Sequence, residues 1–531
     1  MKKIFLRATL FSLINFCFIF FGNAQVNLCG MSMDDIHANA SIIKELRAKY
    51  PQGTTSELRA VSYVPVWFHI VSLTDGTGGV PEWKILDMLC NWNKIYNDNG
   101  IALQFYIKGF DYIKSDATYN YPRSLTGDAG VRSNKKADGA NVYITNGAGA
   151  KPNDGTLAYF SNKQYTSDPS YTNDWIVMLR SQVTSSFNDA YTIAHEMGHF
   201  FSLLHTFNGW EPAQFIATAA KPCADIYASD KVTLTEKHSR GADGNCADAG
   251  DYMCDTPEDY DFGYGYSGCT WTGSAQDPNC VPVTPSEKNI MGYFVGCLNN
   301  FSAQQKEAII NNYTYDRGRQ YLRDLNITPS LVDLGTTTIV SPANASTVNG
   351  FDNITLSWSP TTGATGYYVQ ISTSASFASN EYHFLTANAN ASININVNNT
   401  SAAFLQPNVN YYWRVRPMSS YKNCANFVTA RFATTIGSGV NNIPDVSDFN
   451  VYPNPITNTK SVEVTLSLER SLDAVIKIVG LNGQIINQQK QHFDSGFTTH
   501  HLDLSNLQNG MYILRIESDR GVLNSKITMA N

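Results

Sequence analysis

The chain opens on a compact apolar stretch, Ala8 to Phe21, behind Lys2, Lys3 and Arg7, and small residues then fill Gly22-Asn23-Ala24 before Gln25. A basic start, a short apolar run and a small-residue exit are the pattern of a secretory signal peptide over 1–24. The run is shorter than the ~20 residues a membrane span needs. From 25 to about 60 the pattern is polar and helical (DDIHANASIIKELRAKY), ending near Arg59. VSYVPVWFHIVS then reads as a strand, rich in β-branched and aromatic residues. Pro81 to Asn97 predicts an amphipathic helix with Leu86, Leu89, Cys90 and Tyr96 toward one side. Short strands are expected over 141–145, 155–160 and 175–179, and a further helix starts near Asn188, a good N-cap residue. A loop-rich stretch covers 206–290, and a helix over 302–325 closes the unit. Strands mixed with helices predict an α+β unit over 61–328.

After residue 330 the helical period disappears. LSWSP, GYYVQIST and YYWRVRP alternate between turn signals, which predicts a β-sandwich over 337–436. The spacing of Leu405, Pro407 and Tyr411 resembles the corner of a fibronectin type III domain, with Trp358 and Trp413 as core candidates. A linker (GSGVNNIPDVSD) leads to a second all-β segment over 448–531, with VEVTLSL, AVIKIVG and YILRIES as strands. The expected fold class is therefore a multidomain chain: one α+β unit followed by two all-β sandwiches.

With 43% hydrophobic and 16% charged residues in 531, the chain can bury several cores and is not of the disordered class. A net charge of -7 and no run of Lys or Arg argue against a nucleic-acid partner, since phosphate binding needs clustered basic residues. Export makes the cysteines readable as disulfides. Cys29 lies near the new N-terminus, Cys90 in a helix and Cys424 in a later domain. Cys223, Cys246, Cys254, Cys269, Cys280 and Cys297 cluster, and their spacing does not choose among the ~15 pairings of six cysteines.

The chemistry concentrates in His195-Glu196-Met197-Gly198-His199 and, six residues on, His205. Helix positions i and i+4 are about 40° apart around the axis and ~6 Å apart along it, so His195 and His199 can face one metal. Glu196 reaches the same cleft without being a ligand. A continuous helix would carry His205 to the far side, so the chain must turn near Ser202 for His205 to become a third ligand. Three histidines and a water complete a tetrahedral zinc site, with Glu196 as general base toward the zinc-bound water.

These residues resemble the metzincin metalloproteases, and within them the pappalysin family, whose pattern is HExxHxxGxxH followed by a Met-turn. The resemblance covers roughly 61–325. HEMGHFFSLLHTF matches it with one departure: Ser202 stands where glycine is usual. The resemblance implies a Met-turn at Asn289-Ile290-Met291-Gly292-Tyr293, with Met291 as an apolar floor and Tyr293 either hydrogen-bonding the tetrahedral intermediate or approaching the metal. It implies that Asp251, Asp255 and Thr256 either hold Ca2+ or simply form a turn. It pairs Cys254 with Cys280 and Cys269 with Cys297, leaving Cys223 for Cys246. Cys29 in Asn27-Leu28-Cys29-Gly30 resembles a cysteine-switch ligand that silences the zinc until the pro-segment 25–60 is cut away; a free thiol or a disulfide to Cys90 also fits. The segment after Met291, from Gly292 to Asn300, is expected to line a specificity pocket without Asp or Glu, and 155–160 to be the sheet edge that pairs with substrate.

Val451-Tyr452-Pro453-Asn454-Pro455 and Leu507-Gln508-Asn509-Gly510-Met511-Tyr512 resemble the C-terminal sorting domain of type IX secretion. That implies recognition by secretion machinery at the outer membrane and a secreted, extracellular or cell-surface product. The expected function is a zinc metalloendopeptidase acting on polypeptides; a surface adhesin with a silent metal site is the alternative, which the intact Glu196 disfavours.

Overall fold

The computed structural model describes residues 29–51, 61–151, 155–163, 173–238, 244–323, 332–351, 353–377, 382–386, 391–396, 405–435, 443, 445–457, 460–481 and 483–530. The signal-peptide expectation and cleavage near Arg59 fall outside the described residues. The chain divides into two compact units, Met1–Val80 with Asn91–Asn326, and Pro81–Cys90 with Ile327–Asn531. No helix among the described residues is long and apolar enough to cross a membrane.

The first unit begins with α1 (Met33–Lys49), which starts at a capping box between Ser32 and Asp35 and buries Ile36, Ile43 and Leu46. β1 (Ser62–Ser72) follows, then α2 (Glu82–Asp98) and β2 (Leu103–Lys114). Two short helices, α3 (Asp116–Asn120) and α4 (Leu125–Ser133), precede β3 (Ala140–Thr145), β4 (Ala158–Lys163) and β5 (Asn173–Leu179). The sheet order is β2-β1-β3-β5-β4. β1 runs parallel to both β2 and β3, and β3 parallel to β5. Such strands are covered on both faces, which is why β1 and β3 read as near-continuous apolar runs. β4 is antiparallel to β5 and forms the sheet edge.

α5 (Ala190–Phe200) crosses beneath β4 and is buried almost all round. Its N-cap position is Asp189 rather than Asn188, and the Asp189 carboxylate accepts the Thr184 hydroxyl at 2.5 Å instead of a helix N–H. α6 (Ala303–Tyr315) ends earlier than the sequence pattern predicts. Asp316 takes an extended ψ of 126° and its carboxylate accepts the Gly318 N–H, so the chain turns before α7 (Gln320–Arg323). That turn carries Arg319, fully buried, back to α5: its Nε donates to Phe200 O at 3.0 Å and its guanidinium pairs with Asp174. An orphan carbonyl at the end of α5 is thereby satisfied.

The second unit holds two β-sandwiches. In the first, a sheet of Tyr382–Thr386, Gly366–Ser372, Asn410–Met418, Val428–Thr434 and Ser346–Val348 shares one core with a sheet of Ser392–Asn396, Asn353–Trp358 and Ile339–Ser341. Trp358 and Trp413 sit in that core with Leu405, and Tyr411 Oη accepts the Gln406 N–H at 2.7 Å. In the second, Val462, Val464 and Leu466 pack against Ile476, Ile478, Leu514 and Ile516. The first half of α2 belongs to this unit, and Cys90 in it is bonded to Cys424.

The disulfides correct the expected pairing. Cys269–Cys297 is present, but Cys223 bonds Cys280 and Cys246 bonds Cys254. The reason is local. Gln276 bridges both Cys223 and Pro282, which draws Cys223 and Cys280 to a Cα separation of 5.0 Å. Cys246 and Cys254 lie on one tight turn, eight residues apart. Cys29 is the free cysteine among the described residues, so it is not bonded to Cys90.

Candidate metal centre

α5 presents His195, Glu196 and His199 toward one cavity, all buried. The helix then ends as the chemistry requires: Phe201 N donates to Met197 O, Leu203 N to Gly198 O, and Ser202 takes a φ of 72°. Serine in this left-handed region costs about 1 kcal/mol or more against glycine. Its hydroxyl is used, because Asn312 Nδ2 from α6 donates to Ser202 Oγ at 2.6 Å. The turn swings His205 back, and the three Nε2 atoms stand 3.1, 3.2 and 3.3 Å from one another.

Each imidazole is anchored through its other nitrogen. His195 Nδ1 meets Ile290 O at 2.7 Å, His199 Nδ1 meets Leu203 O at 2.8 Å, and His205 Nδ1 meets Glu211 Oε1 at 3.1 Å. An Nδ1 facing an oxygen is the protonated one, so all three Nε2 atoms turn lone pairs toward one point. Three converging acceptors without a donor repel one another unless a cation stands between them. Nitrogens about 2.0–2.1 Å from a tetrahedral zinc would be about 3.3 Å apart, so the donor set fits zinc in type and spacing. Burial, reinforced by the neighbouring His205, pushes His195 down to about 3, and burial pushes His199 well below its ordinary range. Neutral imidazoles are the form that binds a metal.

Cys29 completes the group: its Sγ and the three histidine nitrogens lie within 4.8 Å of one another. The thiol donates to Glu196 Oε2 at 3.7 Å. Burial, then the Glu196 charge, raise the thiol well above its ordinary value. A cation at the centre of the group reverses that balance, because a coordinating thiol is deprotonated. Burial likewise lifts Glu196 to about 8, against the Cys29 thiol, the Arg123 guanidinium and the Phe160 N–H, which favour its charged form. Tyr293 closes the far side, its hydroxyl accepting the Cys29 N–H at 3.0 Å and donating to Cys29 O at 3.2 Å.

Met291 lies fully buried below the histidines. A Cβ at Gly198 would come within 2.5 Å of its sulfur, so α5 and the 289–293 turn approach closely at a glycine. The leading segment covers the site from above. Cys29 bridges Ala158 in parallel on the free edge of β4, and Gly30 N donates to Ala158 O at 2.9 Å. α1 holds this cover down. Asp35 accepts Asn162 N at 2.6 Å while it caps its own helix, and Asn39 Nδ2 donates to His199 O at 2.8 Å.

Beside Glu196 opens a cavity of about 280 Å³, lined on one side by Tyr293, Val295, Gly296 and Leu298 and on the other by Gln182, Asp189 and Thr192. The 292–300 stretch supplies no carboxylate, as the sequence reads, yet Asp189 brings one from the start of α5. Glu211, Asn39 and Asp189 are the site residues that sequence reasoning missed; each is a common polar residue in a stretch without a motif. The expected calcium group does not assemble. Asp251 accepts Met253 N and Thr256 Oγ1, whereas Asp255 turns to the start of α6 and accepts Ser302 Oγ and Gln304 N. Among the described residues, the metal-type cluster is Cys29, His195, His199 and His205.

A buried three-histidine centre with an adjoining glutamate defines a metallopeptidase-type site, and comparison with known proteins agrees. A peptidase M43 model described as pregnancy-associated plasma protein-A matches residues 132–242, and a model described as a secretion system C-terminal sorting domain matches 450–530. The chain thus carries a pappalysin-type domain and a sorting tail, and it is a secreted protein. An extracellular metalloprotease of Colletotrichum graminicola is 31% identical over 156 residues, 28% of this chain and 52% of its own length. One of Sordaria macrospora is 27% identical over 286 residues, 52% of this chain and 83% of its own. The chain therefore spans about half the length of the first of these relatives. Among solved structures, the chicken CNTN1 FN1-FN3 domains are similar at 13% identity, covering 37% of this chain and 66% of theirs, at a TM-score of 0.15 that is too low to bear on the fold.

Proposed function

We propose that the chain is a secreted zinc metalloendopeptidase of the metzincin kind, made as a latent precursor and hydrolysing peptide bonds in polypeptides once the pro-segment is removed. The observation that carries this reading is the set of three anchored imidazoles, Nε2 atoms 3.1–3.3 Å apart, beside a buried glutamate. His195, His199 and His205 would hold the zinc, Cys29 would be the further ligand of the precursor, and Met291 the apolar floor. Bound there, zinc would act as a Lewis acid, polarising a substrate carbonyl and acidifying water.

Glu196, freed of the Cys29 thiol, takes the proton of the attacking water as general base and hands it to the leaving amine. Tyr293, released from the Cys29 backbone, donates its hydroxyl to the oxyanion that develops on the carbonyl. The free edge of β4, where Ala158 O now accepts Gly30 N, offers the backbone hydrogen bonds that an extended substrate takes over. The sorting tail serves recognition by secretion machinery at the outer membrane.

The test is digestion of denatured protein by the zinc-loaded chain after removal of the pro-segment, with zinc content measured in parallel. Chelation is expected to stop digestion. Glu196→Ala should keep its zinc and lose about 10³-fold in kcat. Digestion that survives both treatments would overturn the reading.

A further inference from the structure

Beside the cleft stands a cationic side chain, Arg123, that the proposed chemistry does not use. Arg123 sits in the turn between α3 and α4, its backbone fixed by Arg123 N donating to Gly149 O at 3.3 Å. Its guanidinium carbon lies 4.2 Å from the centre of the Tyr159 ring, a buried residue of the edge strand β4. This cation–π contact holds the guanidinium over the ring. Asp128 on α4 is paired with Arg132. Among the described residues, the Arg123 guanidinium makes no direct hydrogen bond or ion pair, and its influence on Glu196 acts through space.

The same guanidinium borders the path of the chain through the cleft. A Cβ added at Gly30 would stand 2.8 Å from Arg123 Nη1 and 2.8 Å from Thr156 Cγ2. The covering segment therefore passes Arg123 with the one residue that has no side chain, directly after the residue that faces the histidines. Any other chain in this place brings a side chain toward the guanidinium. An apolar or cationic group must displace it. A carboxylate instead returns paired, charge-assisted hydrogen bonds in a half-buried setting.

We propose that Arg123 determines specificity: once Cys29–Gly30 has left, its guanidinium receives an Asp or Glu side chain next to the scissile bond of the substrate. The inference rests on the peptidase reading above, for which it names a substrate class. It also explains why position 30 is glycine: a precursor with an acidic residue there would hold its own cover more tightly.

The experiment uses the full chain, zinc-loaded and activated by limited proteolysis within 52–60. Decapeptides differing only at one of the two residues on either side of the cut carry Asp, Asn, Glu, Gln or Lys. In the parent protein, kcat/KM for Asp over Asn should be about tenfold or more at one position. Arg123→Gln should bring that ratio to about one, Arg123→Lys partway, and Arg123→Glu should invert it in favour of Lys. A ratio near one at all four positions in the parent, or one kept in the variants, overturns the proposal. A second reading needs no cleavage. On a Glu196→Ala background, fluorescence anisotropy of the labelled Asp and Asn peptides should differ by a similar factor and lose the difference with Arg123→Gln. If no peptide is cut but this difference in binding persists, the peptidase reading fails and the acid-binding role of Arg123 stands; equal binding overturns the role itself.

Discussion

Two regions meet at the histidines and are built on different terms. The floor, from Ala190 to His205 with Met291 below, is held chiefly by close packing: a Cβ at Gly198 would crowd the Met291 sulfur, and its histidines are anchored on backbone carbonyls, His199 on nearby Leu203 and His195 on distant Ile290. The cover, from Cys29 to Lys49, packs Ile36, Ile43 and Leu46 inward and adds a few directed contacts with groups far away in sequence. Cys29 meets Glu196 across 167 positions, and Asn39 meets the His199 carbonyl across 160. A floor of this kind tolerates little change in volume, whereas the proposed activation requires the cover to leave as a piece. Under the proposed function, this difference is what a latent precursor would need: a closely packed metal floor and a removable cover that shares its ligand set.

The comparison can be broken from the cover first. Cys29→Ala removes the thiol from the ligand group and its bond to Glu196. The precursor is expected to gain most of the activity of the processed form, read as digestion rate before any cut at 52–60. A fully silent Cys29→Ala precursor would mean that the helix, not the thiol, silences the site.

The floor should fail differently. Gly198→Ala drives a methyl group to 2.5 Å from the Met291 sulfur. Overpacking of this kind costs about 1–3 kcal/mol, so thermal unfolding should fall by several degrees with or without the pro-segment. An unchanged midpoint would show that Met291 yields freely.

Asn39→Ala sharpens the contrast. It deletes one buried bond, to the His199 carbonyl, worth about 1–3 kcal/mol when the acceptor is left unpaired. The expected result is a several-fold faster proteolytic activation of the precursor, with the activity of the processed form unaltered. The smallest effect is expected at Ser202→Gly. Relief of the φ of 72° gains about 1 kcal/mol, and loss of the Asn312–Ser202 bond removes about as much. Stability should stay within about 0.5 kcal/mol; a larger gain would mean that the Asn312 bond contributes little.

Much of this was legible beforehand, for identifiable reasons. The sandwich alternation and the turn at Ser202 follow from a period of two and from the geometric need to bring His205 back, whereas the edge strand expected over 155–160 lies at Ala158–Lys163. The expected pairing of Cys223 with Cys246 fails, because Cys246 finds Cys254 on its own turn, whereas Gln276 brings Cys223 to Cys280 from segments whose approach has no local signal. The carboxylate in the pocket was missed for the same reason, as Asp189 enters from the start of α5 and not from the stretch after Met291. For Asp255 the motif leaves calcium and a plain turn open, and the carboxylate instead accepts Ser302 Oγ and Gln304 N at the start of α6, partners chosen by packing.

By itself the sequence determined that His195, Glu196 and His199 share a helix face, because backbone geometry fixes where i, i+1 and i+4 lie. It also determined that the last two domains are sheets, because alternation has one stable use. Only the tertiary structure decided which distant groups complete the centre: Cys29 over the histidines, Glu211 behind His205, Met291 against Gly198 and Arg123 along the cleft. These are contacts between segments brought together by chain reversals, and their partners are selected by the space and charge left after the core has packed, which no local period records.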